Sequence, residues 1–215
     1  MPQWYGTPWA FDGISEAPRK NYIACGYFVS TTLKHVGFNL NRYKLAQQAA
    51  SVVIDVLCGN NKAYSTDKSA LINKLKAKNG NRLYVVGLDY HVGFIAVQNN
   101  EVYFIHSDYF KNKVVKEFAF KSQGFSATNS YVYGEITNNS SLLNKWKLNQ
   151  LWVGCDLLQY LKELAICFSP LQCHLNMYMD LRILIFISSS FKFQIYHRVY
   201  PLSFPAQVSQ TFLDS

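Results

Sequence analysis

The order of hydrophobic periods along the chain predicts an α+β fold, with N-terminal helices followed by an antiparallel β-meander. Between Cys25 and Gly80 the apolar residues recur at three- and four-residue intervals, the mark of helices with one buried side. After Gly80 the period drops to two, in short segments rich in Val, Ile, Tyr and Phe. Helices and strands are segregated rather than alternating, which argues against a parallel, doubly wound sheet.

Residues 1–24 hold Trp4, Tyr5, Trp9 and Phe11 among Gly, Pro and Ser, and read as an ordered but irregular lead-in. A first helix starts at Cys25, with Phe28, Thr32, Leu33 and Val36 at helical spacing and Gly37 as its stop. A second is expected from about Tyr43 to Leu57, with Leu45, Ala49, Val52, Val53 and Val56 on one side. A third follows Thr66 or Asp67 as N-cap, buries Leu71, Ile72 and Leu75, and ends by Gly80. The expected strands are Leu83–Leu88, Tyr90–Val97, Glu101–Ser107, Lys113–Phe118 and Tyr131–Thr137. Asn99-Asn100 is the turn between two of them, because asparagine tolerates positive φ.

The 215 residues divide into two kinds of sequence. Ten of eleven glycines fall in 1–140, whereas leucine is enriched afterwards, with eight in 1–140 and fourteen in the last 75. We therefore expect a functional domain at 1–140 and an extension at 141–215, with one helix near 151–168. Decay of pattern in that extension suggests a shifted reading frame after about Leu151. At 49% hydrophobic and 16% charged, the chain is unlike a disordered or coiled-coil protein.

The net charge of +8 is spread over surface-type segments, with Lys74, Lys76 and Lys78, then Lys111, Lys113, Lys116 and Lys121. No nucleic-acid-binding motif accompanies it, so a solvated basic face is expected rather than a specific nucleic-acid partner. The N-terminus lacks the basic and apolar stretches of a signal peptide. The longest apolar run, Ile183–Ile187, is far short of the ~20 residues a membrane span needs. Five cysteines without disulfide-scaffold or C-x-x-C spacing argue against a disulfide framework. Cys167, Cys173 and His174 lack a fourth ligand, so neither a metal nor another cofactor is expected.

Two short segments could carry chemistry. Cys25 opens a helix, where free N–H groups and the helix dipole favour thiolate over thiol, and Gly26 lets a substrate or another backbone come close. His91 opens a strand with Gly93 leaving space beside it, and a neutral imidazole there can accept a thiol proton. Such a base needs an orienting partner. With a two-residue Asn99-Asn100 loop, paired positions sum to 199, which puts His91, His106 and Asp108 on one face and Ser107 on the other. His91 and His106 become diagonal neighbours, about 7–8 Å apart at the backbone. A one-residue slip would bring in Ser107 instead, so the orienting residue is open among His106, Asp108 and Ser107. Cys58 reads as core and His35 as solvated, and His174 and His197 have no partner.

The sequence Cys25 at a helix start, His91-Val92-Gly93-Phe94-Ile95 at a strand start, and Phe104-Ile105-His106-Ser107 at a strand end resembles the NlpC-type papain-like cysteine peptidases over residues 20–110. Ala24 and Gly26 depart from that group's usual aspartate and serine around the cysteine. The resemblance implies a papain-like core and a cysteine hydrolase, a peptidase or amidase, acting by acyl transfer on a peptide amide. Bacterial cell-wall peptide, peptidoglycan, is the substrate class it suggests, in an extracytoplasmic setting. It implies Cys25 as nucleophile, His91 as base and His106 as orienting residue, with the Cys25 N–H at the oxyanion. Trp9, Phe11 and Asp12 would line the substrate groove. The rival expectation is a non-catalytic binding module on the same scaffold.

Overall fold

The computed structural model describes residues 1–152. The expected helix near 151–168, Cys155, Cys167, Cys173, His174 and His197 lie outside the described residues. Among the described residues six α-helices are present: α1 (Cys25–His35), α2 (Arg42–Ala46), α3 (Ala50–Cys58), α4 (Lys68–Lys76), α5 (Gln123–Ser126) and α6 (Ser140–Lys147). The strands are β1 (Lys62–Ser65), β2 (Arg82–Gly87), β3 (Val92–Gln98), β4 (Glu101–Asp108), β5 (Lys113–Phe118) and β6 (Tyr131–Glu135). They form one antiparallel sheet in the order β1-β6-β2-β3-β4-β5, so the chain is α+β.

The meander covers β2 to β5 only. β6 returns to the β2 edge and separates it from β1, a strand that its polar Lys62-Ala63-Tyr64-Ser65 sequence hides. Sequence periodicity sees local alternation but not which edge a late strand joins. The helix expected at Tyr43–Leu57 is two helices, broken at Gln47–Ala49. Tertiary contact explains the break. A Cβ at Gly26 would overlap the Ala46 carbonyl oxygen, so α2 ends directly against the start of α1. The backbone that approaches Gly26 is therefore that of Ala46.

Strand alternation gives the sheet two apolar faces. On one, Val85, Val92, Phe94, Ile105 and Val114 pack with Phe28, Val29 and Leu33 of α1 and Val53, Ile54 and Leu57 of α3. On the other, Tyr84, Val86, Ile95, Val97 and Phe104 pack with Leu71, Ile72 and Leu75 of α4 and with Phe125. Of the two expected caps, Thr66 and Asp67, it is Asp67 that caps α4, accepting from the N–H groups of Ser69 and Ala70 at 2.7 and 3.0 Å. Packed structure continues past residue 140, where the sequence reading draws its boundary. Leu142 is buried, Trp146 Nε1 donates to the Val36 carbonyl at 2.9 Å, and Trp152 forms a parallel bridge with Leu40. Among the described residues, no helix is long and apolar enough to cross a membrane.

Candidate active site

The β3–β4 hairpin sets the geometry of the imidazoles. Asn99 and Asn100 both have positive φ, 51° and 63°, which gives a two-residue loop of the type I′ class. Pairing runs from Gln98↔Glu101 to Phe94↔Ile105, the register expected from sequence. His91 stands immediately before β3, held by a tight turn in which the Leu88 N–H donates to the His91 carbonyl at 2.7 Å. That turn is fastened from outside. The Asp89 carboxylate accepts from the Asn129 N–H at 2.8 Å and the Ser130 hydroxyl at 2.7 Å, bonds that hold its carboxyl below the usual range.

His91 Nε2 and His106 Nδ1 are 2.8 Å apart, a hydrogen bond between two buried rings. Burial, and then the neighbouring His106, push the His91 imidazole down to about 3, so it is neutral at physiological pH. The ring of His106 is stacked on Phe104 at 4.0 Å, and His91 meets Tyr109 edge-on at 5.7 Å. On its far side His106 Nε2 lies 3.2 Å from Glu117 Oε1 of β5, and the same carboxylate takes the Lys111 ammonium. Burial raises the Glu117 carboxyl, but hydrogen bonds from His106, Lys111 and Ser122 outweigh it and hold it at about 2. Gly124 makes room for this arrangement, because a Cβ there would sit 2.8 Å from His106 Cε1.

The other two candidates for orienting residue have different work. Ser107 points to the opposite face and donates to the Ile23 carbonyl at 2.6 Å, fixing the segment two residues before Cys25. Asp108 is buried and accepts from the Phe110 N–H at 2.9 Å, closing the turn after β4.

Cys25 is the first residue of α1 and is half-buried. Ala24 at the N-cap has no side-chain oxygen to satisfy the first-turn N–H groups. Burial raises the thiol, while the N–H groups of Val92, Gly26 and Cys25 itself pull it back. Val92 directly follows His91, so the sulfur stands at the same end of β3 as the base, against the face that Val92 shares with α1, while the His91 ring turns to Phe104 and His106 on the other face. No hydrogen bond joins Cys25 to His91 among the described residues. The resting state pairs a neutral Cys25 thiol with a neutral His91 imidazole.

The Trp9 ring lies 6.2 Å from that of Tyr109, which in turn meets the His91 ring at 5.7 Å, and the Trp9 backbone N–H donates to the Asn112 carbonyl at 2.9 Å. Asp12 and Phe11 are exposed on the turn before Gly13, whose carbonyl accepts from the Ala24 N–H at 2.8 Å. The lead-in thus folds back onto the chain entering α1. Cys58 is buried at the end of α3, and burial, followed by the charge of Asp55, pushes its thiol up to about 12. His35 is exposed at the end of α1 and stacks on Trp4.

Sequence reading missed Glu117, Lys111, Tyr109 and Gly124. The register across the second hairpin is the signal for Glu117, because β5 spans the expected Lys113–Phe118 and pairs Phe104↔Glu117 and Asp108↔Lys113. His106, Asp108 and Glu117 each place a potential metal-ligand atom within 4.8 Å of the others. Those atoms already serve one another, Lys111 and the backbone, and a cation would compete with the Lys111 ammonium. Several basic residues are likewise engaged, Lys76 with Glu101 and Lys78 with Glu135. No family model, curated protein or solved structure matches the chain.

Proposed function

We propose that the chain is a thiol hydrolase of the NlpC type, with a papain-like core, that cleaves a peptide amide by acyl transfer to Cys25. The observation carrying this reading is the His91 Nε2–His106 Nδ1 bond at the end of β3, where the Val92 N–H also acts on the Cys25 sulfur. That bond occupies one nitrogen of His91 and leaves Nδ1 for the thiol. A base oriented on its outer side, next to a thiol at a helix N-terminus, is the arrangement that nucleophilic acyl transfer requires.

The steps follow from these groups. As Sγ of Cys25 attacks the amide carbonyl carbon, its proton passes to His91 Nδ1 and the carbonyl π pair moves to oxygen. The uncapped Cys25 N–H stabilises that oxyanion. The C–N bond then breaks as His91 gives the proton to the leaving amine, and a thioester remains. Water attacks the thioester, passes a proton to His91, and displaces the sulfur, which recovers that proton. Because both groups are neutral at rest, His91 acts as a general base at the moment of attack rather than as half of a standing ion pair. The aromatic rim of Trp9 and Tyr109, with the exposed Phe11–Asp12 turn, lines the groove for a peptide such as that of bacterial cell wall.

Cys25→Ala and His91→Ala are each expected to abolish hydrolysis of a peptide-amide panel while leaving the fold intact by circular dichroism. Unchanged turnover in either variant removes the proposal. The raised Cys25 thiol and its missing bond to His91 favour a second reading, a binding module on the same scaffold. Alkylation of Cys25 by iodoacetamide, followed by peptide mass spectrometry across pH, separates the two. Under the hydrolase reading the profile changes in His91→Ala. A profile titrating at or above the ordinary thiol value of about 8.5 and indifferent to His91 supports the module.

A further inference from the structure

We infer that Glu117 is a positioning residue that sets which nitrogen of His91 carries the proton, acting through His106. The inference rests on the thiol-hydrolase reading for its catalytic consequence, but its structural content stands on the hydrogen bonds alone.

A neutral imidazole has one N–H donor and one bare acceptor nitrogen. At neutral pH Glu117 is a carboxylate, anchored by Lys111, and can only accept. The 3.2 Å contact with His106 Nε2 therefore requires the proton on Nε2. In the neutral form of His106, Nδ1 is then bare. Across the 2.8 Å contact one partner must donate, and only His91 Nε2 remains to do so. With its proton on Nε2, His91 presents a bare Nδ1, the lone pair that takes the thiol proton. One carboxylate at the edge of β5 thus fixes two tautomers in series.

Placement supports this role. Glu117 pairs across the sheet with Phe104 and lies diagonal to His106 on the same face, so the strand register itself delivers the carboxylate to the outer nitrogen. Its side chain is only 12% exposed. Without the carboxylate, His106 can carry its proton on Nδ1 and take a bare His91 Nε2 as acceptor. The His91 proton would then sit on Nδ1, where it blocks proton abstraction.

Imidazole 15N–1H correlation spectra of the full chain, assigned with His91→Gln and His106→Gln, test this without any substrate. In the wild type both rings are expected as Nε2–H tautomers. In Glu117→Gln, which keeps shape but lets the side chain donate, Nδ1–H forms are expected to appear for both. Labelling of Cys25 by a peptide acyl probe is expected to fall about 10–100-fold, the range for loss of an outer partner of a functional histidine. Lys111→Gln, which leaves the carboxylate in place, should keep the wild-type tautomers. An Nδ1–H form of His106 in the wild type overturns the inference even if Glu117→Gln does not fold. Wild-type tautomers persisting in folded Glu117→Gln overturn it as well. Nε2–H tautomers in a protein whose Cys25→Ala variant loses no activity would retain the positioning role and remove only the hydrolase reading.

Discussion

Acid should destabilise this protein well above the pH at which carboxylates titrate, and His91 is the reason. Burial and the adjacent His106 lower its imidazole from 6.5 to about 3, so the folded chain refuses a proton that the unfolded chain accepts. The unfolded state binds more protons, so stability is complete above pH 6.5 and falls as pH drops toward 3. At ~1.4 kcal/mol per unit of pKa difference, the loss from pH 7 to pH 5 integrates to about 2 kcal/mol. Glu117 and Glu135, both held at about 2 against an ordinary 4.5, add their losses mainly below that window. Urea denaturation at half-unit pH steps measures the slope, and His91→Gln, which cannot titrate, should flatten it. Wild-type stability constant to within about 0.5 kcal/mol between pH 7 and 5, or the same fall in His91→Gln, would refute the reasoning.

Other perturbations give distinct outcomes. Gly124→Ala forces a methyl against the His106 ring, and is expected to cost about 1–3 kcal/mol in urea denaturation and to slow Cys25 labelling. Ser107→Ala removes the buried bond to the Ile23 carbonyl, with an expected loss of about 1–3 kcal/mol and, because Ile23 leads into α1, a changed alkylation rate at Cys25. Leu142→Ala should cost about 2–5 kcal/mol, since its side chain is part of the core shared with α1 and α3. A loss under 0.5 kcal/mol would place the boundary of the folded unit near residue 140 after all.

What the sequence made legible is what local rules govern. The Asn99-Asn100 turn determines a register, and that register alone puts His91 and His106 on one face. The first helix, its start at Cys25 and the cap at Asp67 likewise follow from residues a few positions apart. Long-range choices were hidden. Nothing near Tyr131 says that β6 will add beside β2, and nothing near Gln47 says that Gly26 will press on Ala46 and divide a continuous hydrophobic pattern. Glu117 lies between these cases, since its strand is legible from local alternation and its place beside His106 needs the register across the second hairpin as well. The burial that raises Cys25 depends on the whole layer of α1, α2 and sheet, so spacing at a helix start could only point the other way.

The account turns on Cys25 and His91 acting together, and covalent trapping tests that most directly. A peptide acyl electrophile directed at thiols is incubated with the wild type and with His91→Ala, and the rate of mass gain on the Cys25 peptide is followed. The account predicts labelling of Cys25 in the wild type and a rate lower by about 100- to 10,000-fold in His91→Ala, the scale of a lost general base. Equal rates in the two proteins, or a Cys25 that stays unlabelled while the chain remains folded, would contradict it.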